Sequence, residues 1–186
     1  MSSQEAARED LWLFGYGSLI WRPDFVHAER AVARVDGWVR RFWQGSVDHR
    51  GVPGAPGRVV TLLPDARGHC VGMAFRVGAE DVPRVIEQLD LREVGGYERV
   101  ELAMEVRGGV RHARSAVTYV ATADNDNFLG DAPVRQIAEQ VLGARGPSGH
   151  NAEYVLRLDE WLRDEGLEDP HVHELAALVR AGARRG

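Results

Sequence analysis

The sequence predicts an α+β fold whose sheet is mainly antiparallel and strongly curved, and three observations carry that prediction. Alternating, β-branched and aromatic segments fill the first two thirds of the chain and are interrupted by one stretch of helical period. Gly, Pro and Asp pairs punctuate those segments at short spacing, as hairpins require. The last third switches to apolar residues at three- and four-residue spacing with cap chemistry at each start, so helices follow the strands instead of alternating with them. About six to eight strands result, and the pattern leaves open whether the sheet closes into a barrel.

The first ten residues are polar and are expected to form a frayed tail, with residues 11–186 forming a single domain. Leu11 to Trp21 is apolar and aromatic until Gly15 and Gly17 interrupt it. It reads as a strand, a glycine turn and a short return. Ala31–Val35 and Trp38–Trp43 read as strands flanking an Asp36-Gly37 hairpin turn, with Trp38, Arg40 and Phe42 on one face. Gln44–Arg58 holds four glycines and two prolines in fifteen residues, a composition expected of a long loop. Val59–Leu63 and Cys70–Val77 read as a second hairpin about Pro64–Gly68. Ala79 to about Leu91 is helical: Val82, Val85, Ile86 and Leu89 share a face, Glu80 and Asp81 suit the positive end of the dipole, and Gly95-Gly96 follow the end.

Arg99–Val106 and Arg114–Ala121 alternate again about Gly108-Gly109 and give a third hairpin. Asp124–Asp131 is polar and turn-rich, but its spacing does not match a calcium loop. Three helices close the chain. One opens at Asp131-Ala132-Pro133 and runs to about Leu142, one opens at Gly149-His150-Asn151 and runs to Glu165, and one is capped by Asp169-Pro170 and ends near Gly182. His171 and His173, two apart on the last helix, point roughly 200° apart and cannot chelate one metal ion from one face.

Composition excludes several function classes. The 28 acidic and 23 basic residues give a net charge of −5, and every basic residue is a scattered Arg, so no footprint for nucleic acid or an acidic membrane is present. A small-molecule partner fits better. The absence of lysine removes Schiff-base and P-loop chemistry. One cysteine, Cys70, rules out an intrachain disulfide and any multi-cysteine metal site. No apolar run approaches a membrane span and no signal-peptide core is visible, so a soluble cytoplasmic protein is expected.

Two stretches carry chemical content. The N–H groups of Gly17, Ser18 and Leu19 can converge on one anionic group if the glycine turn presents them; the same residues also serve a strand that merely ends in a tight turn. Glu93 lies at a helix C-terminus, where the dipole disfavours ionisation, and precedes two glycines. Turned inward it has the properties of a general base and acid; turned outward it is a solvated carboxylate near Arg92.

Tyr16-Gly17-Ser18-Leu19-Ile20-Trp21, Arg41-Phe42-Trp43-Gln44-Gly45-Ser46, Asp48 to Gly54, Pro56 to Leu62, Arg92-Glu93 with Gly95-Gly96-Tyr97, and Gly146 to Gly149 with Asn151 and Glu153-Tyr154 together resemble the ChaC-like γ-glutamylcyclotransferases. The resemblance runs from about residue 11 to 165. It implies a small mixed, mainly antiparallel β-barrel with peripheral helices, and a lyase-type enzyme that cleaves glutathione to 5-oxoproline and cysteinylglycine with no cofactor and no metal. It further implies that Gly15, Tyr16, Gly17, Ser18, Leu19 and Ile20 bind the γ-glutamyl group, that Glu93 is the catalytic acid/base, and that Tyr97 and Tyr154 line the pocket. Val94 departs from a lysine common among relatives. The Gln44–Arg58 loop is expected to cover the leaving-group side. Activity on other γ-glutamyl compounds, or a non-enzymatic amino-acid-binding role, are the rival readings.

Overall fold

The computed structural model describes residues 9–92, 95–108 and 114–184. Five strands close a barrel: β1 (Leu11–Gly15), β2 (Glu29–Ser46), β3 (Gly57–Val77), β4 (Glu98–Val106) and β5 (Arg114–Val120), in the order β1-β3-β2-β4-β5. All pairings are antiparallel except the one that closes the barrel, where β1 runs parallel to β5 with Leu13 opposite Val117. Buried residues from both faces of the sheet belong to one hydrophobic core that includes Phe14, Phe42, Leu62, Phe75 and Met104, each less than 2% exposed.

The first two expected hairpins do not form. β2 and β3 are instead the two arms of one long hairpin, paired from Glu29↔Arg76 to Ser46↔Gly57. Asp36-Gly37 and the Pro64–Gly68 stretch face each other across it as a bulge, between the pairs Asp36↔His69 and Trp38↔Pro64, with Gly37 at φ +81°. The turn chemistry was real, but both halves of each segment find a partner on the opposite arm, so the chain bends without reversing. The connecting loop is correspondingly shorter than the composition suggested, residues 47–56, with its own bridge between Val52 and Ala55. The hairpin formed by β4 and β5 is as expected, although residues 109–113 at its tip lie outside the described residues. After Gly15 there is no return strand but a 3₁₀ turn, Ser18–Ile20.

The helices are α1 (Val82–Arg92), α2 (Val134–Gly143), α3 (Asn151–Asp164) and α4 (Pro170–Ala183), with a two-stranded ribbon, β6 (Arg145–Gly146) and β7 (Gly149–His150), before α3. The Asp169 side chain accepts from the N–H of Val172, the cap that Asp169-Pro170 predicts. Helices α3 and α4 are clamped by Asp159, whose fully buried carboxylate meets Arg163 at 2.9 Å, Arg180 at 2.7 Å and His173 at 2.5 Å. Although burial favours the protonated acid, those three partners hold the Asp159 carboxyl below its ordinary range. Among the described residues no helix is long and apolar enough to cross a membrane.

A second bulge, between Arg41 and Gln44, takes the N–H of Phe42 out of the ladder, and Nε2 of His171 on α4 accepts it at 3.1 Å. His171 must therefore be neutral at Nε2. Burial, reinforced by Arg41 and opposed by Asp169, pushes its pKa down to about 4 from an unfolded value near 6.5. Stability from the neutral ring is thus present above about pH 6.5 and is lost as pH falls toward 4, by about 3 kcal/mol in the limit. Denaturant unfolding of the protein and of His171→Gln, which keeps an acceptor, should show the stability difference shifting in favour of the variant between pH 7 and pH 4.5. A pH-independent difference would contradict the assignment.

Candidate active site

The barrel mouth between β1 and α1 is built around the glycine turn. Residues without a Cβ are required here by close contact: a Cβ on Gly17 would meet the Tyr154 hydroxyl at 2.5 Å and Val60 Cγ2 at 2.9 Å. The turn is tied down at several points. Arg40, buried on β2, donates to the Tyr16 carbonyl at 2.7 Å, and the Tyr16 hydroxyl donates to the Tyr119 carbonyl at 2.6 Å. The Ser18 hydroxyl accepts from Arg92 Nη2 at 3.1 Å, which joins the turn to the last residue of α1. Its first amides stand at the N-terminal end of the 3₁₀ turn, where a helix leaves N–H groups without internal partners.

Two adjoining cavities open here. The smaller, about 60 Å³, is lined by Gly15, Tyr16, Gly17, Leu19 and Tyr119 among others. The larger, about 310 Å³, is lined by side chains of α1 and of the β2–β3 hairpin and its loop, among them Gln44, Asp48, His49, Arg50 and Arg92. Ser18, Tyr97 and Tyr154 line both. The Tyr154 ring is held edge-on by Trp21 and Phe42 at 5.3 and 6.0 Å between centroids. Of the residues read as γ-glutamyl-binding, Ile20 alone lies away from both cavities. It is 3% exposed and borders a separate cleft with Met73 and Trp161.

Glu93 lies outside the described residues; Arg92 and Gly95 on either side of it both line the larger cavity. Gly95 and Gly96 are braced by the polar Asp124–Asp131 stretch. Asn125 donates through Nδ2 to the carbonyls of Gly95 and Gly96 at 2.8 and 2.7 Å, and its Oδ1 accepts from Asn127 N–H and from Gln44 Nε2. Those partners fix both amide orientations, so the Gln44 carbonyl oxygen is the atom left over: among the described residues it is the one buried side-chain polar atom without a partner. Among the described residues no group of three or more metal-ligating side chains gathers anywhere.

Sequence reasoning missed Arg40, Gln44, Arg50 and Asn125 as site-forming residues. Arg40 carried a signal, because a charged residue flanked two positions away on each side by Trp38 and Phe42 must either break a strand face or be buried with partners. Arg50 carried none beyond its place in the singled-out loop.

The closed mixed barrel with a glycine turn at its mouth is the γ-glutamylcyclotransferase fold: a crystal structure of a yeast γ-glutamylcyclotransferase specific to glutathione matches with a TM-score of 0.88, covering 93% of this chain and 96% of that one at 28% identity. Residues 11–182 match the family model described as ChaC-like protein, and the chain belongs to that family. It is 46% identical over 173 residues to human glutathione-specific γ-glutamylcyclotransferase 1, covering 92% of this chain and 78% of the human one. The glutathione-specific γ-glutamylcyclotransferase of Schizosaccharomyces pombe is 37% identical over 187 residues, 91% of this chain and 92% of that one.

Proposed function

We propose that this protein is a γ-glutamylcyclotransferase that converts glutathione to 5-oxoproline and cysteinylglycine. The observation that carries the reading is the pair of cavities joined at Ser18, Tyr97 and Tyr154. A narrow lobe under a glycine turn suits the compact γ-glutamyl arm, and a wide lobe edged by polar and cationic side chains suits a departing dipeptide.

In this reading Glu93 takes a proton from the substrate α-ammonium group. The freed amine attacks the γ-carbonyl carbon of the same molecule, a five-membered lactam forms, and the C–N bond to the cysteinyl nitrogen breaks as Glu93 returns the proton to it; the ring nitrogen gives up its second proton, and the product amine leaves as an ammonium group. Amides of Gly17, Ser18 and Leu19 hold the anionic end of the glutamyl group. Because nucleophile and electrophile belong to one molecule, folding the flexible chain into attacking geometry is a major part of the catalytic task, an effect that supplies roughly 7–11 kcal/mol in favourable cases. A protein nucleophile is not needed, and the one cysteine is a poor one: Cys70 is 3% exposed and burial pushes its thiol up to about 11. The partner is thus a small molecule, and neither nucleic acid nor a membrane is required; the reducing cytosol is the compartment proposed.

Incubation with glutathione tests the proposal, the expected result being 5-oxoproline and cysteinylglycine in equal amounts and the contrary result no product. EDTA is predicted to leave the rate unchanged, since the mechanism draws on no metal. Loss of activity in chelator, restored by one particular metal ion, would contradict that.

A further inference from the structure

We propose that Arg50 reads the terminal carboxylate of the leaving peptide and so sets the preference for substrates that end in a free acid. This rests on the cyclotransferase reading and extends it to the wide lobe. Three arginines and one histidine line that lobe, alongside the carboxylates of Asp24 and Asp48. Arg22 and His49 are 63% and 53% exposed, and Arg92 is committed to Ser18 Oγ and to the Arg22 carbonyl. Arg50 differs. Its side chain is 9% exposed, and it is anchored through Nη1 alone, which donates to the His150 carbonyl at 3.0 Å and to Glu153 Oε2 at 3.1 Å.

The other edge of the guanidinium, Nε and Nη2, meets no acceptor among the described residues. Neither nitrogen is sealed in the interior without a partner, so that edge is open to the lobe. It is the edge whose two parallel N–H groups match a carboxylate bidentately. The position is also right. Arg50 Cζ stands 5.9 Å from the centroid of the Tyr154 ring, and that ring borders both lobes. A dipeptide leaving from the junction spans roughly 7 Å at about 3.5 Å per residue, which brings its carboxylate to the guanidinium. The loop backbone fixes the side chain in turn: Ser46 Oγ accepts from the N–H of Arg50 at 2.9 Å and of His49 at 3.3 Å.

The test compares kcat/KM for glutathione with that for its glycyl ethyl ester, in which only the terminal carboxylate is masked. The protein should prefer the free acid by about tenfold to a hundredfold, the range for a charge-assisted hydrogen bond. Arg50→Met should lose that factor on glutathione and change little on the ester, whereas a structural role would depress both alike. Glu153→Gln keeps an acceptor for Nη1 but removes the competing charge, so it should lower KM for glutathione and leave the ester unaffected. It also decides the matter should Arg50→Met fail to fold. Equal rates on acid and ester in the unaltered protein, or parallel losses in the variants, overturn the proposal. No turnover of glutathione at all would instead overturn the cyclotransferase reading beneath it.

Discussion

Replacing Glu93 with glutamine is expected to lower kcat for glutathione by a factor on the order of 10²–10⁴, the usual contribution of a positioned general acid/base, while the affinity for glutathione stays within a few fold. The amide keeps the size and polarity of the acid but can neither accept the ammonium proton nor return it to the leaving nitrogen. Arg92 joins α1 to the Ser18 hydroxyl, Gly95 lines the wide lobe, and Asn125 fixes the Gly95 and Gly96 carbonyls, so the described residues that flank position 93 are held beside the wide lobe. Turnover and binding measured on the same preparation decide the matter. A Gln variant that keeps a substantial fraction of the rate removes Glu93 from the mechanism.

Arg40→Leu should be the most damaging substitution outside the cavities. Arg40 is 2% exposed and spends its guanidinium on three partners: Asp169 at 3.0 Å, the Tyr16 carbonyl at 2.7 Å and the Val71 carbonyl at 3.1 Å. One side chain thus joins the cap of α4, strand β3 and the glycine turn. Truncation leaves a carboxylate and two carbonyls short of a donor, a loss of about 3–5 kcal/mol, or roughly 10–15 °C in Tm for a chain of this length. The activity that survives should also fall, because Arg40 ties down the glycine turn through the Tyr16 carbonyl. Combining Arg40→Leu with Asp169→Asn should cost less than the sum of the two. Additive losses, or a Tm within about 2 °C of the unaltered protein, would show that the charge is dispensable.

What the sequence made legible followed local chemistry. Asp169-Pro170, the Gly149-His150-Asn151 step and the Val82 to Leu89 stripe each mark a helix found in place, because caps and apolar periodicity act over a few residues. The β2–β3 arms were misread for the same reason. Gly37 at positive φ serves a bulge as well as a hairpin turn, and only the pairing of residues up to 47 positions apart, Glu29 with Arg76, decides between them. The glycine turn was visible as a motif, but its anchoring by Arg40 and Arg92 spans 24 and 74 positions. Arg50 was invisible as a site residue because every one of the 23 basic residues is an arginine, and only the fold separates a buried, half-committed guanidinium from the rest.

The most direct test of the central claim is product analysis of glutathione turnover in H₂¹⁸O. Intramolecular attack by the α-amino nitrogen predicts 5-oxoproline in equal amount to cysteinylglycine, with the lactam oxygen unlabelled because the γ-carbonyl oxygen is retained. Glutamate carrying ¹⁸O in its γ-carboxylate would mean that water, not the substrate's own amine, attacks the carbonyl, and would contradict the cyclotransfer mechanism at this site.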